Sequence, residues 1–535
     1  MTHPGIIEFR RATSGRPARA LAVMAALLVA AACGGSGPAA SSTPRPSIEM
    51  TPTPWATASP SPIATPSPTS TPIAPQTFPL AVIARYDDNR TGLTSQALSM
   101  ALYQGSVMVP CEVSELGLDG SHVVISPDTP CLAGAAIVAT IHATKDQLAL
   151  VPPSLVTPSV KVLTLDGADL FGAPSKRALE YHLYGEGTVP DGWTAYNRDD
   201  VRTLISTGDT CPDRGVSYMA DTFHKGWTWV LDGGTAHYRS FKTSSWDWPV
   251  PIISRNGDLG TVSRLISDND VSANDFECPA VSNWVQHNTG MVFSIDPQAV
   301  TMLAAEGGVK VVTLGSNHIT DAGKSGVTET IQYLDKAGIK HTGAGNDLES
   351  ALAPAVVDVR GVKFAFVGWD DIGGSRAAST GHPGVAPMTD ANVCSSIKAA
   401  RALADVVIAM PQWGWPEYHA NVTSEQVKQR QLFYDCGADG VLGSGTHWAS
   451  WASILPGPNG SRFAIGSHGN FLFDQSWSRQ TMEGVIVEVT FVGTKLAQFR
   501  LHPYVVVQGA QPNLLDPTTD GAYVLNQVWQ VSDVR

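Results

Sequence analysis

Apolar runs of four to seven residues, each stopping at glycine or a polar loop, recur at 202–208, 309–315, 362–368, 404–410 and 440–443. Runs that short read as buried strands, and the segments between several of them carry helical patterns. Val327, Ile331 and Leu334 fall at i, i+4 and i+7, on one helical face. Strands alternating with helices select an α/β fold built from βαβ units. Stretches 462–465, 484–491 and 495–502 are strand-rich with short connections, which brings in antiparallel pairing. A mixed pair of sheets flanked by helices satisfies both patterns.

The first 33 residues read as an export segment and take no part in the fold. Arg10, Arg11, Arg16 and Arg19 precede a 12-residue apolar stretch, 21–32. A membrane-spanning helix needs roughly 20 residues, so this stretch is too short to be one. It ends in alanines against Cys33, followed by Gly34 and Gly35. That arrangement resembles a bacterial lipoprotein signal, in which the cysteine carries the lipid and becomes the first residue. Ala30 stands where that motif has Leu or Val, and cleavage at an Ala-x-Ala site without lipidation is the alternative. Residues 34–76 are Pro, Ser, Thr and Ala almost without charge, a tether that cannot bury enough apolar surface to fold. The expected location is the extracytoplasmic side of the cell membrane, with a lipid anchor at Cys33.

Beyond Cys33 stand six cysteines, an even number that suits an oxidising compartment. Adjacency suggests Cys111–Cys131 and Cys394–Cys436, which leaves Cys211–Cys278; sequence alone leaves the connectivity open. No two have the short spacing of a thiolate metal site. Without the export segment the chain carries 31 Lys plus Arg against 47 Asp plus Glu. Such a surface disfavours nucleic acid and repels a polyanion except where a metal or local arginine overrides the field. The remaining length is enough for two domains: a small α/β domain at 77–196 and a larger one at 197–510, with 511–535 as a C-terminal extension. In the small domain Asp166, Asp169 and Arg90 either line a cleft or are solvated groups at strand ends.

Chemistry-bearing residues gather after the strands of the larger domain, where α/β proteins place their sites. Asp209 follows the run at 202–208; Asn274, Asp275 and Glu277 precede Cys278; Asn317, His318 and Asp321 follow 309–315. Gln412, Trp413, Trp415, Glu417, Tyr418 and His419 follow 404–410, and His447 and His468 come after the later strands. Carboxylate oxygens, an amide carbonyl and few histidines suit Mn²⁺, Mg²⁺ or iron better than a soft metal. A Cys211–Cys278 bridge would hold the Asp209 and Glu277 segments at fixed separation; a plain structural staple is the alternative.

Residues 201–505 resemble the bacterial CapA family, capsule or poly-γ-glutamate synthesis proteins related to the calcineurin-like metallophosphatases. The family's Gly-Asp is matched by Gly208-Asp209. Its Asn-x-Glu is approximated by Asn274-Asp-Phe-Glu277, or more closely by Asp275-Phe-Glu277. Its Asn-Asn-His-x-x-Asp-x-Gly corresponds to Ser316-Asn317-His318-Ile-Thr-Asp321-Ala-Gly323, and a Gly-x-Gly-x-Asn stretch to Gly343-Ala-Gly345-Asn346. Its His-Trp-Gly-x-Glu-Tyr becomes Gln412-Trp413-Gly414-Trp-Pro-Glu417-Tyr418, one residue longer, and its Gly-Asn-Phe is Gly469-Asn470-Phe471.

The resemblance implies a four-layer αββα metallophosphatase-like sandwich, preceded here by the small α/β domain. It implies metal ligands at Asp209, Glu277, Asn317 and His447, with His318 as proton donor to the leaving oxygen. Asp321 and Arg214 join His318 as catalytic candidates, Arg214 by holding a substrate anion; Glu417 and Trp413 are expected to touch substrate. Two positions depart from the pattern: Gln412 replaces the histidine before Trp-Gly, and Gly445 replaces the first histidine of His-x-His. One divalent ion, Mn, Mg or Fe, is therefore expected rather than two, with His419 and His468 as possible replacement ligands. The implied function is a metal-dependent hydrolase acting on an extracellular anionic polymer or a phosphoester. The alternative is a non-catalytic surface protein that binds or anchors polymer through a degenerate site.

Overall fold

The computed structural model describes residues 75–535 apart from 124, 127, 189, 191–195 and 245–246. The export segment, Cys33 and the tether up to residue 74 lie outside the described residues. Two mixed sheets stack face to face. The strands and helices that carry the site are, in chain order, β1 (Val201–Thr210), β2 (Val271–Phe276), β3 (Val311–Thr313), α1 (Gly323–Ala337), β4 (Val362–Asp370), α2 (Asp390–Leu403), β5 (Val406–Gln412), α3 (Ser424–Cys436), β6 (Gly440–Leu442), β7 (Glu483–Val492) and β8 (Lys495–Val507).

The first sheet has ten strands. Its order is Pro249–Arg255, Thr235–Thr243, Gln511–Leu515, β8, β7, β1, β2, β3 and Lys340–Thr342, with Asn470–Leu472 added beside β1. β1, β2 and β3 run parallel, whereas β7 and β8 form an antiparallel meander against β1. The second sheet runs Ala355–Val359, β4, β5, β6, Gly460–Ile465, Ala452–Gly457 and Asp533–Val534.

Strand parity makes the layers. On β4, Phe364 and Phe366 face the first sheet, while Ala365, Val367 and Trp369 face α2 and α3. On β5, Val406, Ile408 and Met410 take the first role and Val407 and Ala409 the second. Val327, Ile331 and Leu334 of α1 cover the outer face of the first sheet. Helices, sheet, sheet and helices therefore enclose three apolar layers, the expected αββα order. α3 starts at a reciprocal cap, Thr423 with Gln426, and ends at Gly437 in the left-handed region.

Residues 76–187 build three small sheets around helices Ser95–Tyr103 and Gly134–Ala143, and Cys111 is bonded to Cys131. Their apolar core includes Ala497 of β8, and the unit is fastened to the sandwich by polar contacts. Val162 N donates to Gln498 Oε1 at 2.6 Å, and Arg500 donates to Asp169 at 2.6 and 3.0 Å. Within residues 511–535, Gln511–Leu515 pairs with β8, and Asp533–Val534 pairs with Ala452–Gly457. No helix among the described residues is long and apolar enough to cross a membrane.

Candidate metal centre

The parallel strands β1 and β2 end side by side, and the pairing shifts register between Thr207 and Asp209 so that Asp209 lies opposite Asp275. Gly208 permits the shift. A Cβ there would stand 2.0 Å from the Gly469 carbonyl oxygen, so only glycine allows so close an approach of backbone. Past the strand ends, Cys211 and Cys278 are disulfide-bonded, with Cα atoms 5.1 Å apart. Asp209 and Glu277 are thereby held together from both sides.

Parity on β2 decides which side chains meet. Asn274 turns away and donates to Thr207 Oγ1, Gly208 O and Thr210 Oγ1 at 2.9, 3.2 and 2.7 Å. Asp275 and Glu277 face Asp209, and the three carboxylates bring oxygens within 4.8 Å of one another, all buried. Oδ1 of Asp209, both oxygens of Asp275 and Oε2 of Glu277 meet no donor in hydrogen-bond geometry. Glu277 Oε1 accepts from Gln412 Nε2 at 2.8 Å. Buried carboxylates without donors are costly, and burial together with mutual repulsion raises their proton affinity. Burial followed by Glu277 and Asp209 pushes Asp275 well above the usual carboxylate range, and burial followed by Asp209 pushes Glu277 up to about 7.

One cation stands against them. His447 Nδ1 is 3.1 Å from Asp209 Oδ2 and 2.8 Å from Asn470 Oδ1. Burial lowers its pKa, but Asp209, Glu277 and Glu417 outweigh that and raise it to about 9. Three hard anionic side chains with unsatisfied oxygens and a single imidazolium fit one divalent cation bound through oxygen.

His318 stands beside this cluster on the loop after β3. Its Nδ1 is 3.0 Å from Asp321 Oδ2, whose same oxygen accepts from Phe293 N at 2.9 Å. The Phe293 ring meets the imidazole edge-to-face at 4.6 Å. Arg214 lies over Phe293 and Phe473, at 4.9 and 5.3 Å from the ring centres, and pairs with Asp474. Phe473 in turn contacts His447 at 5.5 Å, so Arg214 backs both imidazoles through the two phenyl rings.

Residues 203–475 match the family described as bacterial capsule synthesis protein PGA_cap. The chain belongs to this family. Among PGA_cap relatives, the PGA biosynthesis protein CapA of Bacillus subtilis is 27% identical over 246 residues, 45% of this chain and 63% of that protein. The capsule biosynthesis protein CapA of Bacillus anthracis is 28% identical over 236 residues, 42% of this chain and 56% of that protein. The match thus spans less than two thirds of either relative's length. Among solved structures, the NAD nucleotidase of Haemophilus influenzae aligns at 13% identity with a TM-score of 0.33, over 63% of this chain and 57% of that one.

Placed in the PGA_cap pattern, the expected residues separate. Asp209 and Glu277 meet, but the third carboxylate is Asp275, which was expected only as part of a motif and not as a ligand. Asn317 reaches the group through Gln412, whose Nε2 is 3.4 Å from Asn317 Oδ1. His447 is in ion-pair contact with Asp209 rather than within the carboxylate cluster. Glu417 Oε2 is 3.9 Å from His447 Nε2, and the Tyr418 ring stacks on that imidazole at 5.3 Å.

Trp413 does not face the site. It is fully buried, stacks on Phe433 at 5.6 Å and donates Nε1 to Gly466 O, because parity on β5 sends residue 413 to the helix layer. Trp451 is buried with it, leaving Trp415 exposed. His419 is engaged by the Gly414 and Asn421 carbonyls. His468 is buried against Gly443 O, and burial depresses its pKa to about 4.

The two departures also acquire a geometry. Gln412 keeps its amide between Glu277 and Ser444, whose Oγ donates to Gln412 Oε1 at 2.6 Å. Gly445 has φ +103, and a Cβ there would lie 2.9 Å from the Trp413 carbonyl; a histidine at 445 would be strained in this backbone.

Proposed function

We propose that the chain is a CapA-like hydrolase working with one divalent ion on an extracellular anionic polymer or a phosphoester. The observation that supports it is the buried Asp209–Asp275–Glu277 cluster beside the His318–Asp321 pair. Asp209, Asp275 and Glu277 would hold the ion, Mn, Mg or Fe, with Asn317 adjacent. Such an ion, when bound, lowers the pKa of a coordinated water and polarises the scissile group.

The chain's own residues supply the rest. Asp321 fixes His318 through Nδ1, which orients the opposite nitrogen, Nε2, for proton delivery to the leaving oxygen. Arg214, held by Asp474 and packed on Phe293 and Phe473, would add positive charge behind the two imidazoles, favouring an anionic substrate in front of them. Glu417 and His447 would position substrate or water opposite His318. Gln412 spends one amide hydrogen on Glu277 and Gly445 offers no side chain, which favours a single ion over a pair. The names of the relatives point to poly-γ-glutamate or capsule as the polymer, and the sequence before residue 75 to a lipid anchor at Cys33 on the extracytoplasmic side of the membrane.

Metal analysis of the purified protein, followed by turnover of a phosphodiester, a phosphomonoester and poly-γ-glutamate, tests the reading. About one divalent ion per chain and turnover lost in His318→Ala are expected. Polymer binding without metal, unchanged in Asp209→Ala, would instead establish the non-catalytic anchor that the degenerate second position also allows.

A further inference from the structure

A cavity of about 1010 Å³ lies between the small N-terminal unit and the first sheet. It is remote from the carboxylate cluster. Asp268 and Asn269, which line it, precede β2, whereas Asp275 and Glu277 lie at that strand's far end. Six residues of strand at about 3.3 Å each separate the two by roughly 20 Å. Its apolar wall includes Leu163, Leu179, Leu265, Leu501, Leu515 and Pro517. Arg90 and Asp169, noted in the sequence as cleft candidates, both line it.

The charged wall holds Lys161, Asp169, Glu488, Arg500 and His502. Arg500 gives its terminal nitrogens to Asp169, and His502 Nε2 is 2.7 Å from Glu488 Oε2. Lys176 and Arg264 line the cavity as well, and one deeply buried ammonium, Lys161, is left over. Arg500 Nε has no acceptor but is wholly enclosed, out of reach of the cavity. Lys161, only 9% exposed, touches the Asp88 carbonyl oxygen but makes no ion pair with a carboxylate among the described residues. A buried ammonium without a counter-anion is expensive. Burial, with Arg500 repelling and Asp88 attracting, lowers the Lys161 pKa to about 8. Asp268, Asp516 and Asp520 also line the cavity; Asp268 accepts from Ser175 Oγ, Asp516 from Thr518 and Asp520 from Tyr238 N.

We infer that this cavity binds a small organic carboxylate with an apolar or methylene body, its head group on Lys161. A volume of this order suits a small-molecule ligand. Asp169 and Glu488 share the charged wall and would repel the second charge of a phosphate, so a monoanionic head group fits better. The inference is independent of the reading of the metal centre.

Isothermal titration calorimetry of the full chain with hexanoate, glutamate and inorganic phosphate tests it. Either carboxylate should bind more tightly than phosphate. Lys161→Met, which removes the charge at similar volume, should weaken that binding at least tenfold. Leu179→Trp, a half-exposed position lining the cavity, should weaken it as well, and Asp209→Asn should leave it unchanged. Thermal unfolding of each variant shows that the fold persists. Absence of binding by both carboxylates, preference for phosphate, or binding indifferent to both Lys161→Met and Leu179→Trp would overturn the inference.

Discussion

The first sheet carries two groups of buried charge, and they are built on opposite rules. On β7 and β8, Glu488 is answered by His502 and Arg500, and Arg500 by Asp169. At the ends of β1 and β2, Asp209, Asp275 and Glu277 face one imidazole and leave most of their oxygens without donors. Desolvation opposes charge in both places. Where a carboxylate has cations beside it, Arg500 and His502 offset burial and hold Glu488 below its ordinary pKa. Where they are missing, Glu277 is driven up to about 7. The balanced group docks one unit on another, and the unbalanced one is compatible with a single divalent cation.

The largest expected difference between the two is in turnover. His318→Ala, which removes the proposed proton donor while leaving the carboxylates intact, should lower kcat by roughly 10²- to 10⁴-fold. Stoichiometric metal should still bind, as measured by elemental analysis. Loss of metal together with turnover would place His318 among the ligands and blur the contrast. Next comes Asp169→Ala in the balanced group. It strands the Arg500 guanidinium, and breaking a buried pair by one partner costs about 3–5 kcal/mol, to be read from denaturant unfolding. A cost near zero would mean that the two units do not depend on that pair.

A carboxylate removed from the unbalanced group should act in the other direction. Asp275→Asn takes away one of three mutually repelling anions, so the metal-free protein should melt at a higher temperature than wild type. Wild type should gain about 2.7 kcal/mol from Mn²⁺ at roughly 100 times its Kd, and the variant should lose most of that gain. Destabilisation of metal-free Asp275→Asn would show that its carboxylate is already satisfied.

The layers and part of the site are legible in the sequence; the contrast itself is not. The short apolar runs and the helical spacing of Val327, Ile331 and Leu334 carried the αββα layers, because strand and helix periods are local properties of sequence. Asp209, Glu277 and the Asn317-His318-x-x-Asp321 loop were legible from motifs. Asp275 was not, because its role depends on which of Asn274 and Asp275 faces β1, a parity set by the register shift at Gly208. Trp413 failed for the same kind of reason: one residue beyond Gln412, it turns to the opposite face of β5. Residues 511–535 joined two sheets through partners as distant as Ala452–Gly457, and such pairing leaves no local trace. The charged wall was equally hidden, since Asp169 and Arg500 meet only when the small unit docks.

The pH dependence of stability differs in sign between the two groups. Glu277 titrates near 7 in the folded, metal-free chain against 4.5 ordinarily, and His447 near 9 against 6.5. Through those intervals the folded chain holds more protons than the unfolded one, so stability falls as pH rises. For His447 the contribution is complete below about 6.5 and is lost by about 9; for Glu277 the loss runs from about 4.5 to 7. Glu488 behaves oppositely. Its pKa is lowered, so its contribution is present above its ordinary pKa and is lost as pH falls through the folded value. Unfolding midpoints of metal-free protein, measured from pH 3 to 9, should show Glu277→Gln flattening the decline between about 4.5 and 7, and Glu488→Gln flattening the loss on the acid side. Saturating Mn²⁺ should flatten the first interval in wild type, because the ion takes the place of the proton on Glu277, and should leave the acid limb governed by Glu488 unchanged. If Glu277→Gln keeps the full decline and Mn²⁺ does not alter it, the carboxylates at the ends of β1 and β2 are balanced after all, and the distinction between the two groups collapses.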